Sequence, residues 1–333
     1  MKKSLLFPLA LAPALLLAGC ETTVDVAPPP HTPRLALTYT LSNQAPGTAD
    51  YRQFFEGRAL YVSTSQDVFN PTRLQGRADA TVELRDAAGQ VVEQFRPRSR
   101  PGYPDSLRGY YAPTRGYVGR PGQGYTLRAS APGVAAVEAT MTLPAPAAVE
   151  AGSYAPKATS GPGNGSNPAG RLAFTVPDNA ATTDYYLAYA RVLDAAGRPW
   201  GQVQIDYSAR NNNGPDIDFD LNRFKLSVAN NRYDTFPFSD AGSNGQRLTS
   251  TSDVVLAYTG KYDPQHPTPP APAFIEVIVS SISADAYDFY QSVQRYYDTE
   301  GNPFAEPAPL HSNVTPGYGL FGGATDVSFR IPL

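Results

Sequence analysis

The segment NNNGPDIDFDLN, residues 211–222, carries acidic and amide side chains at alternating positions. Alternate residues of an extended chain point to the same side, and carboxylate and amide oxygens are the hard ligands that Ca²⁺ binds. The segment does not fit an EF-hand loop, because Leu221 stands where that loop needs glycine. A solvated edge or loop, whose charges discourage strand pairing, is the alternative. The residues of this candidate calcium site are Asp216, Asp218, Asp220 and Asn222.

Three histidines, His31, His266 and His311, are the other residues suited to metal or acid–base chemistry. None lies in a two-histidine metal motif, and no G-x-S-x-G nucleophile motif occurs. A Ser-His-Asp triad is a spatial arrangement that a sequence leaves open. His311, beside Ser312, would act in such an envelope hydrolase, but we expect the protein not to be an enzyme.

The single cysteine, Cys20, ends a segment with the layout of a secretory signal peptide. Two lysines precede an apolar run, and LAGC at residues 17–20 looks like a bacterial lipobox. The thiol of Cys20 would then be alkylated by diacylglycerol, residues 1–19 removed, and the new amine acylated. Several acyl chains hold a protein stably at a membrane, so we expect a lipid anchor. An ordinary signal peptide with a chance cysteine is the alternative.

Arginine and tyrosine interleave between residues 98 and 125. Exposed aromatic and arginine side chains are typical of partner surfaces and sugar sites; a solvated loop is the alternative. Trp200, beside a turn, is expected to pack in the interior. The candidate binding residues of this segment are Tyr103, Tyr110, Tyr111 and Tyr117.

The composition predicts an all-β protein that does not bind nucleic acid. A formal charge of −3 lacks the excess of basic residues that nucleic acid requires. The 28 glycines and 33 prolines, together with 21 tyrosines and 15 phenylalanines, favour many short strands joined by turns.

Alternating patterns divide the chain into two β-sandwich domains. After the signal peptide, residues 20–33 form a Pro-rich tether. Residues 34–145 contain six or seven short strands, which is typical of an immunoglobulin-like sandwich. Residues 146–170, rich in Pro, Gly, Ser and Ala, are the predicted linker. Residues 171–333 form the second β-rich domain.

One amphipathic helix is predicted near the C-terminus, over residues 283–299. Ser283 can cap its start, and Gly301 and Pro303 can end it. The residues of its apolar face, spaced for helical packing, are Ile282, Ala286, Phe289, Tyr290, Val293 and Tyr297.

After this helix, NPFAEPAPLHSNVTPGYGLFGG occupies residues 302–323. The order NPF-x-EP, SN and GYGLFGG resembles the closing signature of a Bacteroidota outer-membrane lipoprotein family, domain of unknown function 4249. The lipobox, TMTLP before the linker and FPFSDAGSNGQ at 236–246 are also similar to that family. The positions that match the signature, for which we expect structural roles, are Asn302, Pro303, Phe304, Glu306, Pro307, Ser312, Asn313, Gly319, Phe321 and Gly322.

The resemblance implies a location and a partner, and no catalytic residue. Members are typically lipoproteins encoded near TonB-dependent transporters. We therefore expect a protein anchored to the outer membrane, facing the exterior, that assists such a transporter in nutrient capture. An independent cell-surface module that binds glycan or protein is the second interpretation, and the hydrolase is the third.

Overall fold

The computed structural model describes residues 30–46, 55–67, 70, 74–98, 108–150, 152–157, 167–206, 224–228, 235–260, 270–299 and 308–333. These residues form two β-sheets and one α-helix near the C-terminus, which confirms the predicted all-β class. In chain order the elements are β1 (Leu35–Ser42), β2 (Tyr61–Thr64), β3 (Thr81–Asp86), β4 (Val91–Pro97), β5 (Tyr111–Pro113), β6 (Gly124–Ser130), β7 (Val137–Thr142), β8 (Gly152–Lys157), β9 (Ala169–Pro177), β10 (Tyr185–Asp194), β11 (Pro199–Ile205), β12 (Phe238–Ser239), β13 (Arg247–Tyr258), β14 (Pro272–Ile282), α1 (Ala284–Thr299) and β15 (Tyr318–Pro332).

The smaller sheet has the order β5-β4-β3-β6-β7 and is antiparallel throughout. Its alternating pattern buries Val82 and Leu84 on one face. That face shares a hydrophobic core with Leu37, Val62 and Phe321 of the larger sheet. The first sandwich therefore takes its second layer from the end of the larger sheet.

The larger sheet has the order β2-β1-β15-β14-β10-β11-β13-β9-β8, with β12 paired to β10. Its edge strand β8 approaches β15, where Gly152 lies against Phe329 and Ile331. The sheet thus curls around a second core that includes Phe174 and the buried Trp200. The burial of Trp200 agrees with the sequence prediction.

Strand pairing crosses the predicted domain division in two places. β1, predicted to belong to the immunoglobulin-like unit, pairs in parallel with β15 of the second domain. β8 lies inside the predicted linker and pairs with β9. Alternation reveals that a segment is extended but not its partner, because pairing joins residues far apart in sequence. Pro156 suits the edge position, since an edge strand tolerates a missing N–H.

The helix begins one residue after the predicted start and ends at the predicted residue. Its face packs on β10, β14 and β15 through Ala286, with Phe289 and Tyr290 partly buried. Ser283 accepts a hydrogen bond from the Gly323 N–H at 3.1 Å, so its hydroxyl joins the helix start to β15.

Two further segments differ from the sequence pattern. The pattern FKLSVA predicts a strand over residues 224–229, but the described part of it, residues 224–228, forms only a bridge between Leu226 and Ala188. Residues 318–323 of the glycine-rich GYGLFGG segment, for which the sequence analysis gives no strand, form the first part of β15. Within the parts of the chain described here, no helix combines the length and apolar character needed to cross a bilayer.

Candidate functional site

Residues 311–322 of the signature form a junction between α1, β15 and β1, which we call the C-terminal junction. His311 Nε2 lies 3.0 Å from Asp285 Oδ1 in the first turn of α1. Asn313 Nδ2 donates to the other oxygen of Asp285 at 3.1 Å. One helix carboxylate therefore holds two signature side chains.

Ser312 and Asn313 satisfy backbone groups of the junction. Asn313 accepts from the N–H of Phe321 at 2.9 Å and donates to its carbonyl at 2.9 Å, as a neighbouring strand would. The Ser312 hydroxyl accepts from the N–H groups of Val314 at 3.3 Å and Gly319 at 3.0 Å. Because both side chains bond to backbone groups of the junction, these contacts are consistent with the structural roles expected for Ser312 and Asn313.

The signature glycines allow two elements to approach β15 closely. Gly319 has φ +115°, and a Cβ there would lie 1.8 Å from the carbonyl oxygen of Leu37 in β1. At Gly322 a Cβ would lie 3.1 Å from that of Ala286 in α1. Only glycine accommodates the backbone at the first position, which explains why a glycine-rich segment forms a strand.

His311 and Asp285 are two members of a potential catalytic triad. Both are about one-third exposed, with side-chain accessibilities of 32% and 37%. The two nearby serines have other partners: Ser292 donates to the Phe289 carbonyl at 2.7 Å and accepts from the His311 N–H at 2.9 Å. The hydroxyl of Ser312 faces backbone amides, as described above. The described contacts thus orient the imidazole without bringing a serine to it.

The three candidate binding tyrosines that the structure describes do not form one exposed surface. Tyr111 is 2% exposed, and its hydroxyl accepts from the Ala80 N–H at 2.9 Å. The Tyr117 hydroxyl lies 3.1 Å from that of Tyr125, and burial first, then this contact, raises the pKa of Tyr117 to about 12. Tyr110 is partly buried. Tyr111 begins β5 and packs in the core of the first sandwich, so the predicted surface is corrected there.

A group of carboxylates that the sequence analysis did not identify lies at one end of the larger sheet. Asp178 follows β9, Asp184 precedes β10, and Asp240 lies in the 3₁₀ turn after β12. One oxygen from each lies within 4.8 Å of the other two. We call these three residues the carboxylate cluster.

Hydrogen bonds fix the outer members of the carboxylate cluster. Asp178 accepts from the Tyr186 hydroxyl at 2.8 Å and from the Gly245 N–H at 2.7 Å. Asp184 accepts from the Thr182 hydroxyl at 2.8 Å.

Asp240, the inner member, has no accessible surface. One of its oxygens accepts from the Asp184 N–H at 2.9 Å. The other, Oδ1, is buried without a hydrogen-bond partner. Burial and then the charges of Asp178 and Asp184 raise the pKa of Asp240, although the hydrogen bond from the Asp184 N–H opposes this.

Sequence reasoning missed the carboxylate cluster because its members come from separate turns. The local signals are PDNAATTD at 177–184 and SDAG at 239–242, which are ordinary turn sequences, although the second lies within the FPFSDAGSNGQ segment that is similar to the family. Several predicted site residues lie outside the described residues, so their arrangement stays a prediction. These are Cys20, Tyr103, Asp216, Asp218, Asp220, Asn222, Asn302, Pro303, Phe304, Glu306 and Pro307.

Comparison with known proteins assigns the family. The model described as "Domain of unknown function (DUF4249)" matches residues 56–330, which includes the carboxylate cluster and the C-terminal junction. The chain belongs to the DUF4249 family. No curated protein sequence matches this DUF4249 chain. Among solved structures, it is similar to a chain titled "Biofilm associated protein - B domain", with 8% identity and a TM-score of 0.18 over 89% of this chain and 85% of that one. A likeness of that size carries no argument.

Proposed function

We propose that the chain is a lipid-anchored outer-membrane protein that acts without catalysis, as an accessory of a TonB-dependent transporter in nutrient capture. The observation that carries the anchoring is the lipobox at Cys20, which stands ten residues before the first described residue. The transporter and the surface-facing orientation rest on the resemblance to the Bacteroidota lipoproteins.

The way the tether enters the fold supports this proposal. It leads into β1, which has β2 on one side and β15 on the other. Seven residue pairs join β1 to β15 along the strand direction. A force from the membrane along β1 would therefore load the backbone hydrogen bonds between β1 and β15 simultaneously. The acyl chains would then be attached to the larger sheet as a whole through β1.

Fractionation and affinity purification test the proposal on the full chain expressed in its native host. We expect the wild-type protein in the outer-membrane fraction, with a TonB-dependent β-barrel recovered in near-equal amount. The matched variant Cys20→Ala should lose membrane attachment. A Cys20→Ala variant that stays in the membrane would overturn the anchor. Recovery of the protein alone, binding glycans on an array, would replace the transporter role with an independent binding module.

The contact between His311 and Asp285 favours a second candidate, an envelope hydrolase. An imidazole oriented by a carboxylate is the base of such enzymes. His311→Ala separates the two functions. Accessory function should persist in this variant with a loss of stability of about 1 kcal/mol, because one charge-assisted contact is removed. Loss of function with unchanged folding would favour the hydrolase instead.

A further inference from the structure

We propose that the carboxylate cluster of Asp178, Asp184 and Asp240 is a Ca²⁺ site. It differs from the calcium site predicted at residues 216–222, which lies outside the described residues. It is also independent of the proposed transporter role, because a cation can bind whichever partner the protein has.

The spacing of the three carboxylates fits one ion. Ca²⁺ binds oxygen at about 2.3–2.6 Å, so two ligands on opposite sides of one ion are separated by about 4.6–5.2 Å. The oxygens offered by Asp178, Asp184 and Asp240 lie within 4.8 Å of one another. A single Ca²⁺ can therefore contact all three with little movement of the chain.

The buried oxygen of Asp240 is the observation that points to a ligand. A buried polar atom without a partner is unfavourable by about 1–3 kcal/mol, and more if it is charged. Asp240 has no accessible surface, and its Oδ1 has no hydrogen-bond partner. Its carboxylate belongs to the same group of oxygens as those of the two other aspartates. A cation between the three would offset the charge of this buried, incompletely hydrogen-bonded carboxylate.

Among the described residues, the groups that contact the cluster do not balance its charge. The donors to its carboxylates are hydroxyls and backbone N–H groups, which carry no net charge. Within the described part of the chain, no arginine or lysine forms an ion pair with any of the three aspartates. Carboxylates this close repel each other unless a proton or a cation lies between them.

The donor set favours Ca²⁺ over other metals. Zn²⁺ prefers nitrogen and sulfur ligands, and the described cluster contains only carboxylates. Mg²⁺ demands a near-ideal octahedron and retains several waters, whereas Ca²⁺ accepts irregular sets of six to eight oxygens. Three aspartates from separate turns form an irregular set that water would complete. Extracellular calcium modules bind with Kd on the order of 10⁻⁴–10⁻³ M, and we expect that range here.

The ion would link two connections of the larger sheet. Asp178 and Asp184 begin and end the β9–β10 connection, while Asp240 belongs to the segment between β12 and β13. Ca²⁺ should therefore stabilise this end of the fold, since a ligand that binds only the folded state raises its stability.

Thermal unfolding of the purified full chain, stripped of metal with EDTA and then dialysed, tests the site. We expect 10 mM CaCl₂ to raise Tm by roughly 2–4 °C, and MgCl₂ at matched ionic strength to raise it less. Asp240→Asn and Asp184→Asn should each abolish most of the shift. The exposed aspartate of Asp298→Asn provides the matched control, which should respond as the wild type does.

Terbium luminescence gives a second measurement that reports position. The Tyr186 hydroxyl lies 2.8 Å from Asp178 Oδ1, so excitation of this tyrosine should sensitise Tb³⁺ bound at the cluster. Ca²⁺ should displace the Tb³⁺, and Tyr186→Phe should reduce the signal.

Three results would overturn the proposal. The first is a wild-type protein that shows no Ca²⁺ shift. The second is an equal shift with Mg²⁺, which indicates screening of charge. The third is a shift that survives in folded Asp240→Asn and Asp184→Asn but is lost in Asp218→Ala/Asp220→Ala, which would assign the ion to the other acidic segment.

Discussion

Asp326 in β15 and Asp240 in the 3₁₀ turn after β12 both carry buried carboxylates, and their surroundings are opposite. Asp326 forms an ion pair with Arg58 at 2.6 Å, with side-chain accessibilities of 6% for the arginine and 2% for the aspartate. Hydroxyls of Ser42 and Ser280 also donate to it. Asp240 has two acidic neighbours, no described cationic partner and one orphaned oxygen.

The pKa values of these two carboxylates move in opposite directions. Burial alone would raise the pKa of Asp326, but the Arg58 charge and the hydrogen bonds from Arg58 and both serines hold it below its ordinary value. Burial and like charges raise that of Asp240. The first carboxylate is neutralised by the fold itself, while the second leaves charge for something else to neutralise. On the Ca²⁺ proposal, this difference separates a structural carboxylate, Asp326, from a ligand-binding one, Asp240.

The largest expected effect comes from removing Arg58, the arginine that pairs with Asp326. Arg58→Met should lower the free energy of unfolding by about 3–5 kcal/mol, because it leaves Asp326 charged and buried with its two serine hydroxyls but without its cation. Urea unfolding monitored by fluorescence measures the change.

The double variant Arg58→Met/Asp326→Asn should recover part of that loss, since the uncompensated charge is gone. As a matched control, Arg171→Met removes a surface pair with Asp253 at 3.1 Å in which the arginine is 57% exposed. It should alter stability by less than about 1 kcal/mol. Equal losses in Arg58→Met and Arg171→Met would contradict the assignment.

A third buried carboxylate, Glu93 in the smaller sheet, is neutralised by backbone N–H groups. It accepts from the N–H of Gln94, Arg115 and Tyr117, each at 2.8 Å, and from that of Thr114 at 2.9 Å. Although burial opposes it, these bonds lower the pKa of Glu93.

Glu93→Gln tests whether backbone N–H groups stabilise the charge of the buried Glu93 carboxylate, as Arg58 stabilises that of Asp326. The substituted amide presents hydrogens to at least one of these donors, so we expect a loss of about 1.5–3 kcal/mol in urea unfolding. Glu83→Gln on the adjacent strand is the control, because its partner Arg85, at 2.5 Å, is about one-third exposed, whereas Glu93 is buried. A loss no larger than that of the control would show that the N–H groups find water instead.

Local patterns in the sequence predicted the elements, and the interactions between them required the structure. The alternation in residues 78–86 predicts β3, and the apolar spacing around Ala286 predicts α1, since both depend on near neighbours. The parallel pairing of β1 with β15 and the pair of Arg58 with Asp326 join the two ends of the chain. The periodicity of hydrophobic residues in a short segment gives no information about contacts with residues far away in the sequence.

The candidate sites follow the same rule. An acidic run such as residues 211–222 attracts attention because its oxygens are adjacent in sequence. The carboxylate cluster has single aspartates in separate turns, and only folding brings them together. Tyr111 was predicted as a binding residue from composition, whereas its burial depends on the sheet that packs over it.

The smallest expected effect is on the stability of Asp240→Asn relative to the wild type. This difference should have one sign without Ca²⁺ and the opposite sign with it. The folded-state pKa of Asp240 is raised. The contribution of Asp240 to the free energy of unfolding is therefore fully present below its unfolded-state pKa and is lost as pH rises through its folded-state pKa. Asp240→Asn keeps an acceptor for the Asp184 N–H and removes the charge. The variant should therefore be more stable than the wild type at pH 8 in EDTA, by about 1 kcal/mol from relieved repulsion.

Urea unfolding between pH 4 and pH 8 would measure this difference. We expect the two stabilities to converge as the pH falls, because protonated Asp240 and its asparagine substitute carry the same charge. Saturating Ca²⁺ should reverse the order at pH 8, since only the wild type retains the full set of ligands. A variant that is less stable than the wild type in EDTA at pH 8 would mean that Asp240 is neutralised within the protein, as Asp326 is, and the contrast between the two carboxylates would fail.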